Sequence, residues 1–494
     1  MRVFKGLKTD PQPAYDAIVI GAGVGGLICA NLLVREGLRV LLVEQHYMVG
    51  GYCSTFRRKG FTFDAATHFY PLLGNPLTIT GSVLDRLGSR TRWVKMDPVD
   101  HFHFPDGSRF SVSADFGEYM DELKATFPHE RQAIEKFFEV VREAYLYGLL
   151  YFFRGRQADR LEPLQALSVR DALNRYFTDP KLKLLLAADC AHWGSPPSRT
   201  SFVFDSMLRL SYFLGNYYPE GGSQVFADDL AQSFEERGGD ILMHSMVDRI
   251  VVEEGRAVGI EVQTGVGARR HGVTVRAEHI VSNADLVLTF EKLLGPSVVG
   301  DAAIAELRKL RPTTPCFLTH IGLRDVPLEA LERASGYHWR TWDSDRVIYG
   351  DAFKIFVPTM YEPRMAPPGG QIVILQRIME VDYDGVGDWT SHKCGVQSDL
   401  LERFEAVLPG IRDHIVTAQS ASALTSWRFT LNHHGAMLGW EMSPGQLGTT
   451  RPAIDGPVRN LYFTGHWTRP GGGITPVIVS AVDAARAITG TSRP

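Results

Sequence analysis

The chain has 494 residues, 44% of them hydrophobic and 22% charged, with a formal net charge of -4. That length suits two or three structural units, interleaved or in series, and the composition carries no mark of disorder, a collagen repeat or a disulfide scaffold. With no dense Lys/Arg block a nucleic-acid partner has no support, and Cys29, Cys53, Cys190, Cys316 and Cys394 stand too far apart for a metal site or a disulfide framework, so a reducing cytoplasm is the expected compartment.

The first notable stretch is "AIVIGAGVGGLICANLLV", Ala17 to Val34, uncharged over about the length that spans a bilayer. Its four glycines fall at turn-like spacing, and the flank before it lacks a signal-peptide cleavage pattern, so it reads as a buried strand, a turn and a helix. "DAIVI" is the short β-branched run of a strand buried on both faces of a parallel sheet. Gly21, Gly23 and Gly26 follow as GxGxxG: one for the tight turn, one for approach of the backbone to a pyrophosphate, one for close helix–strand packing. A helix over 24–36 ends near Gly37, "LRVLLVE" is the second strand, and Glu44 closes it roughly 20 residues on, where a carboxylate binds ribose hydroxyls. To this point NAD and FAD are both open.

"HYMVGGYCSTFRRKGFTFDAATHFY" comes next. The paired glycines followed by "GFTFD" resemble the continuation found in two-dinucleotide-binding-domain flavoproteins, the group that holds amine oxidases, phytoene desaturases, carotene isomerases and retinol saturases. The resemblance implies FAD, with Gly50 and Gly51 along the diphosphate, where a backbone without Cβ approaches charged oxygen closely, and Ser54 beside them. Tyr52 stands where many members carry an arginine, so that phosphate contact does not transfer, and Cys53 reads as a small buried filler. His68 and Tyr70, after "FDAAT", are placed above the flavin, with His68 as the acid–base candidate. The fold implied is α/β: a Rossmann-like, amine-oxidase-like FAD-binding domain interleaved with a mixed α+β substrate domain.

Segments then follow in order: 14–75 as the first part of the FAD-binding domain, 76–214 as a helical substrate insertion, 215–290 as the second FAD part, 291–455 as the substrate domain and 456–494 as the third FAD part. Within the insertion, "YLYGLLYFF" (Tyr145 to Phe153) reads as helix core, or as a tunnel wall or membrane-dipping face if the substrate is greasy. In the second part a helix after Gly221-Gly222 leads to a hairpin, and the resemblance implies that the Val247 backbone meets the adenine. "QTGVGARRHG" reads as a hairpin loop that opens no helix, so there is no second nucleotide site and the electron acceptor is unassigned: oxygen, quinone, another carrier, or return of the flavin within each turnover.

"NLYFTGHWTRPGGGITPVIVSAVDAARAI" closes the chain as strand, glycine-rich turn and helix. By resemblance it returns to the same flavin: Gly465 and His466 at the phosphate or ribityl chain, and Gly473, Ile474 and Thr475 at the ring. There a helix N-terminus stabilises negative charge that builds on reduction. His466 occupies a position where many relatives have Asp or Glu; His433, His434 and Glu441 are outlying candidates. No metal is expected. The implied activity is redox chemistry at a carbon–carbon bond of an apolar polyene or isoprenoid, with hydride transfer at flavin N5. The alternatives are redox-neutral cis–trans isomerisation by reduced FAD and amine oxidation. An apolar small molecule is the expected partner, with peripheral contact at the inner face of a membrane as a companion expectation.

Overall fold

A computed structural model describes residue 7 and residues 10–156, 159–265 and 270–491; the centre of the loop "QTGVGARRHG" lies outside these. Two seven-stranded sheets organise the described residues.

In the first sheet the strand Ala14–Ile20 runs parallel to Val40–Val43 on one side and to the end of His271–Ser282 on the other, Ile20 opposite Ser282. Asp240–Leu242 extends it beyond Val40–Val43, and Leu461–Phe463 lies parallel to the last residues of His271–Ser282. The early part of His271–Ser282 pairs instead with the antiparallel hairpin Arg256–Thr264 and Met246–Glu253, so one long strand joins a parallel half to a hairpin. Side chains alternate as the pleat requires: Ala17 and Val19 enter a core shared with the helices Val24–Arg35, Ser223–Glu236 and Ile474–Thr489, while Ile18 and Ile20 enter a second core with the hairpin, Leu286 and Trp440. Strands covered on both faces in this way read as continuous apolar runs, as "AIVI" and "VLLV" do.

The second sheet runs, in order, Ile415–Ala421, Cys316–Arg324, Gly370–Ile378, Ala352–Phe356, Gly336–Trp339, Asp100–His103 and Arg109–Val112. Two of these strands come from segment 76–214, which reads as helical from its charge–apolar periodicity and is not wholly so. Trp93–Lys95 in the same segment pairs with Asn216–Pro219. These strands are only three or four residues long, too short to show a period of two beside the long helix Arg131–Arg154. One face of the sheet is covered by the helix Trp389–Val407 through Val396, Leu400 and Phe404. Its other face, with Leu318, Gln376 and Ile378, looks into a cavity shared with the first sheet.

The helix Arg131–Arg154 packs along Phe202–Leu214, and a Cβ on Gly148 would lie 3.0 Å from Val203 and from Met207 Sδ. Tyr145, Leu146, Leu149, Leu150 and Phe153 follow at helical spacing and line the cavity. The run "YLYGLLYFF" is therefore a tunnel wall on one face and core on the other.

Candidate functional site: a glycine cradle joined to an apolar cavity

A cavity of about 1090 Å³, at the upper end of small-molecule sites, lies between the two sheets. One end is built from main chain. Gly21 turns with φ +94°, and its carbonyl accepts from Asn283 Nδ2 at 3.2 Å. A Cβ on Gly26 would lie 2.0 Å from the Gly21 carbonyl oxygen, which is why helix and strand meet so closely there. Gly26 is thus a packing residue behind the cavity wall and does not line it. Gly50, at φ +110°, donates its N–H to the Ala22 carbonyl at 2.7 Å and forms a bridge with Gly23, and a Cβ on Gly51 would come 3.4 Å from Gly23 Cα. The two glycine pairs, far apart in type of motif, form one groove that side chains cannot fill.

Glu44 stands at the end of its strand, buried, with Oε2 accepting from Ala22 N–H at 2.7 Å and Oε1 from His46 N–H at 2.8 Å. Burial pushes its carboxyl up and those N–H groups pull it back down. It lines the cavity beside Ser245 and Val247, and Val247 is the second residue of the outer strand of the sheet, where half the backbone groups have no strand partner. Ser54 lies outside the lining, its carbonyl accepting from Ala65 N–H at 2.8 Å.

The chain's two ends meet here. A Cβ on Gly25 would lie 3.2 Å from Gly465 N and from Thr464 Oγ1, and one on Gly465 would lie 2.8 Å from Asn283 Oδ1. Asn283, which the sequence reading passed over, bonds the Gly21 carbonyl, and a Cβ on Gly23 or Gly25 would lie 3.0 or 2.6 Å from its side chain. It sits just past the carboxyl end of a parallel strand, the position where ligand crevices form in such sheets, and that placement was the available signal. Gly465 itself donates to Ser480 Oγ at 2.9 Å, so its N–H is already occupied.

His466 is a neutral, oriented ring. Its Nε2 bonds Asn432 Oδ1 at 3.0 Å, Trp467 Nε1 donates to the same oxygen at 2.9 Å, and burial, then the nearby Arg451, lowers its imidazole to about 3. The Arg451 guanidinium, 1% exposed, ties this loop together by donating to the carbonyls of Trp440, Glu441, His466 and Thr468. Gly473 caps the helix Ile474–Thr489 at the cavity, so the free N–H groups of its first turn face the space between sheet and tunnel. Thr475 Oγ1 donates to the Pro71 carbonyl at 3.2 Å.

Of the residues placed above the ring, His68 lines the cavity and Tyr70 does not. Tyr70 is fully buried, packed against Trp93 at 5.3 Å and Phe226 at 6.1 Å between ring centroids, because the short strand Tyr70–Pro71 turns alternate side chains to opposite sides. His68 Nδ1 bonds the Ala66 carbonyl at 2.6 Å and its Nε2 meets the Gln376 amide. With Nδ1–H donating and Nε2 accepting, neither nitrogen is free, and burial followed by the Lys354 charge lowers the ring to about 3. His433 and Glu441 act structurally: the first stacks on His434 at 3.9 Å, the second pairs with Arg199 at 2.8 Å.

The other end of the cavity is walled by Leu149, Phe153, Met207, Leu318, Ile378 and Met437. Its mouth is rimmed by Leu77, 94% exposed, with Leu146 and Leu214. The carboxylates that line the cavity are Glu44, held by backbone, and Asp483, paired with Arg486 at 3.2 Å. Among the described residues no group of side chains could hold a metal, and no helix is long and apolar enough to cross a membrane.

Such a groove, in which Cβ atoms would collide with backbone, beside a helix N-terminus and a strand-end carboxylate, fits the long phosphate-bridged body of FAD. Comparison with known proteins agrees. The chain is 26% identical over 520 residues to prolycopene isomerase 2 of an Oncidium hybrid cultivar, covering 97% of this chain and 85% of that one. It is 26% identical to all-trans-retinol 13,14-reductase of Danio rerio (91% and 82% covered) and 27% identical to phytoene desaturase (lycopene-forming) of Pseudescherichia vulneris (94% and 97%). Among solved structures, an oxidoreductase from Methanosarcina mazei matches with a TM-score of 0.66 at 19% identity, covering 94% of this chain and 99% of its own. Putrescine oxidase bound to putrescine matches with a TM-score of 0.65 at 14% identity, covering 97% and 98%. These share the fold. Because the sequence pattern of flavin-containing amine oxidoreductases matches residues 24–489, nearly the whole chain, the protein belongs to that family and is an FAD-dependent oxidoreductase.

Proposed function

We propose that the enzyme acts on carbon–carbon bonds of an apolar polyene or isoprenoid of the carotenoid or retinoid kind, by desaturation or saturation. The observation that carries this reading is the cavity: one end a glycine groove, the other an apolar tunnel with no uncommitted carboxylate among its described lining residues. A cationic amine would lose its hydration there without a counter-charge, which disfavours amine oxidation despite the shared fold. FAD, when bound, supplies a two-electron acceptor or donor at N5. In this reading Gly21, Gly23, Gly50 and Gly51 hold the diphosphate, Glu44 the ribose and the Val247 backbone the adenine. Gly473, Ile474 and Thr475 hold the pyrimidine end of the ring. Gly26 supports them by packing, and segments 14–75, 215–290 and 456–494 form one FAD-binding body.

Redox-neutral isomerisation is the second reading, favoured by the prolycopene isomerases among the relatives. Purified holoprotein, oxidised and then anaerobically reduced, incubated with carotenoids, retinoids and other apolar alkenes, separates the two. A mass change of two hydrogens supports redox chemistry, whereas altered double-bond geometry at constant mass supports isomerisation; turnover of amines alone would reject both. The rim of Leu77, Leu146 and Leu214 lets an insoluble substrate pass from a lipid surface into the tunnel without crossing water. Anionic and neutral vesicles should retain the protein, and Leu77→Ser with Leu214→Ser should release it.

A further inference from the structure

Several titratable side chains on the cavity wall have their polar atoms committed. Glu44 accepts backbone N–H groups, the Tyr52 hydroxyl donates to the Ala436 carbonyl at 2.9 Å, and both ring nitrogens of His68 are engaged. His192, on the turn of helix Cys190–Trp193, differs. It lines the cavity, and its neighbour Trp193 lies 3.7 Å from where a Cβ on Gly473 would stand. His192 Nε2 faces Asp100 Oδ2 at 3.6 Å, too long for a hydrogen bond but without other partner among the described residues. The ring lines the cavity, and Nδ1 is its other nitrogen.

Behind it stands a buried ion pair. Lys354 Nζ donates to Asp100 Oδ2 at 2.5 Å and lies over the rings of Phe69 at 4.2 Å and Tyr337 at 4.7 Å, while His101 N–H donates to Asp100 Oδ1 at 2.9 Å. Burial pushes the Asp100 carboxyl up, but the Lys354 ammonium outweighs that and holds it ionised, below the ordinary carboxylate range. A fixed anion opposite Nε2 selects the tautomer with the proton on Nε2 and leaves the Nδ1 lone pair for the substrate. The other titratable groups around the ring are Tyr337 and Tyr212, at centroid distances of 5.5 and 6.5 Å, with His68, and Asp189 behind Tyr212.

We propose that His192 exchanges the proton with the substrate and that Asp100 is its positioning residue; this rests on the polyene reading above. Bound FAD would supply the two-electron acceptor for the hydrogen and electron pair of one C–H bond in desaturation, and the substrate would then carry a cation delocalised along the polyene. The adjacent C–H gives its proton to His192 Nδ1 and its electron pair becomes the new π bond. Saturation is the reverse, with protonated His192 as donor to carbon. The cation makes the adjacent C–H acidic, so a neutral imidazole is base enough.

The test uses holoenzyme of wild type, His192→Gln and His192→Asn, with the flavin absorption spectrum and polyene binding as checks that fold and cofactor site persist. Both variants should bind FAD and polyene as wild type does and turn over about 100-fold or more slowly. Independently of turnover, 15N spectra of histidine-labelled protein should show one ring, absent from His192→Gln, protonated at Nε2 in wild type and shifted toward the other tautomer by Asp100→Asn. Variant turnover within about threefold of wild type, or a His192 ring protonated at Nδ1 in wild type, overturns the assignment. Wild-type protein that converts no polyene at all would sink the substrate reading itself, and this role with it, whatever the tautomer.

Discussion

The two ends of the cavity are built in opposite ways. At the glycine end the walls are main chain: Gly21, Gly23, Gly25, Gly50 and Gly465 bring backbone together, and side chains such as Asn283 and Glu44 brace it. At the apolar end the walls are side chains from the helices Arg131–Arg154 and Phe202–Leu214 and from the second sheet. The first construction recognises charge and hydrogen-bonding groups and tolerates no added atom. The second recognises shape and accepts change in proportion to volume.

That difference gives substitutions of graded effect. The largest should come from Gly50→Ala: the new Cβ would lie 2.6 Å from the Cys53 carbonyl oxygen and 2.8 Å from Ala227 Cβ, at a φ that L residues avoid. Purified variant should lose bound flavin, read by absorption, while circular dichroism shows the fold kept. An unchanged flavin content would break the claim that main chain shapes this end. Next, Arg451→Met should cost about 2–4 kcal/mol in thermal unfolding, because it strands buried carbonyls at Trp440, His466 and Thr468. Arg451→Lys should recover only part, since an ammonium cannot span the same fork.

A pH effect of comparable size for each group follows from the neutral histidines. His466 and His68 have folded values near 3 against 6.5 for the free group, so below pH 6.5 the unfolded chain binds protons that the folded one refuses. Their stabilising contribution is full above 6.5 and falls by up to about 1.4 kcal/mol per pH unit for each as the pH drops toward 3. Denaturant titrations from pH 7 to pH 4 should show this slope, and His466→Gln should flatten it. The smallest effect is expected at the tunnel: Leu150→Trp should leave flavin content unaltered and lower turnover of long polyenes about tenfold relative to short ones. Equal losses for both lengths would mean that the helix does not measure the substrate.

The same contrast explains what could be read from the sequence. GxGxxG, the paired glycines and the closing helix are local signals whose spacing is set by backbone geometry, so the cradle and its parent sheet were legible from residues 17–64 and 461–489. Asn283 was not, because a single asparagine after a strand carries no spacing rule, although its contacts join both ends of the chain. Tyr70 shows the opposite failure: it lies next to cavity residues in sequence, but alternation along a two-residue strand turns it into the core. His192, Lys354 and Asp100 are far apart in the chain and come together only when residues 100–112 join the second sheet, a pairing that no periodicity in such short strands announces.

The central claim is that cofactor and apolar substrate share one cavity, head to tail. Titration of the holoprotein with a polyene, followed by absorption in the flavin band, tests it most directly. A saturable perturbation at one polyene per chain, not reproduced by putrescine, is the predicted result; a flavin band untouched by every polyene, or shifted only by the amine, would contradict it.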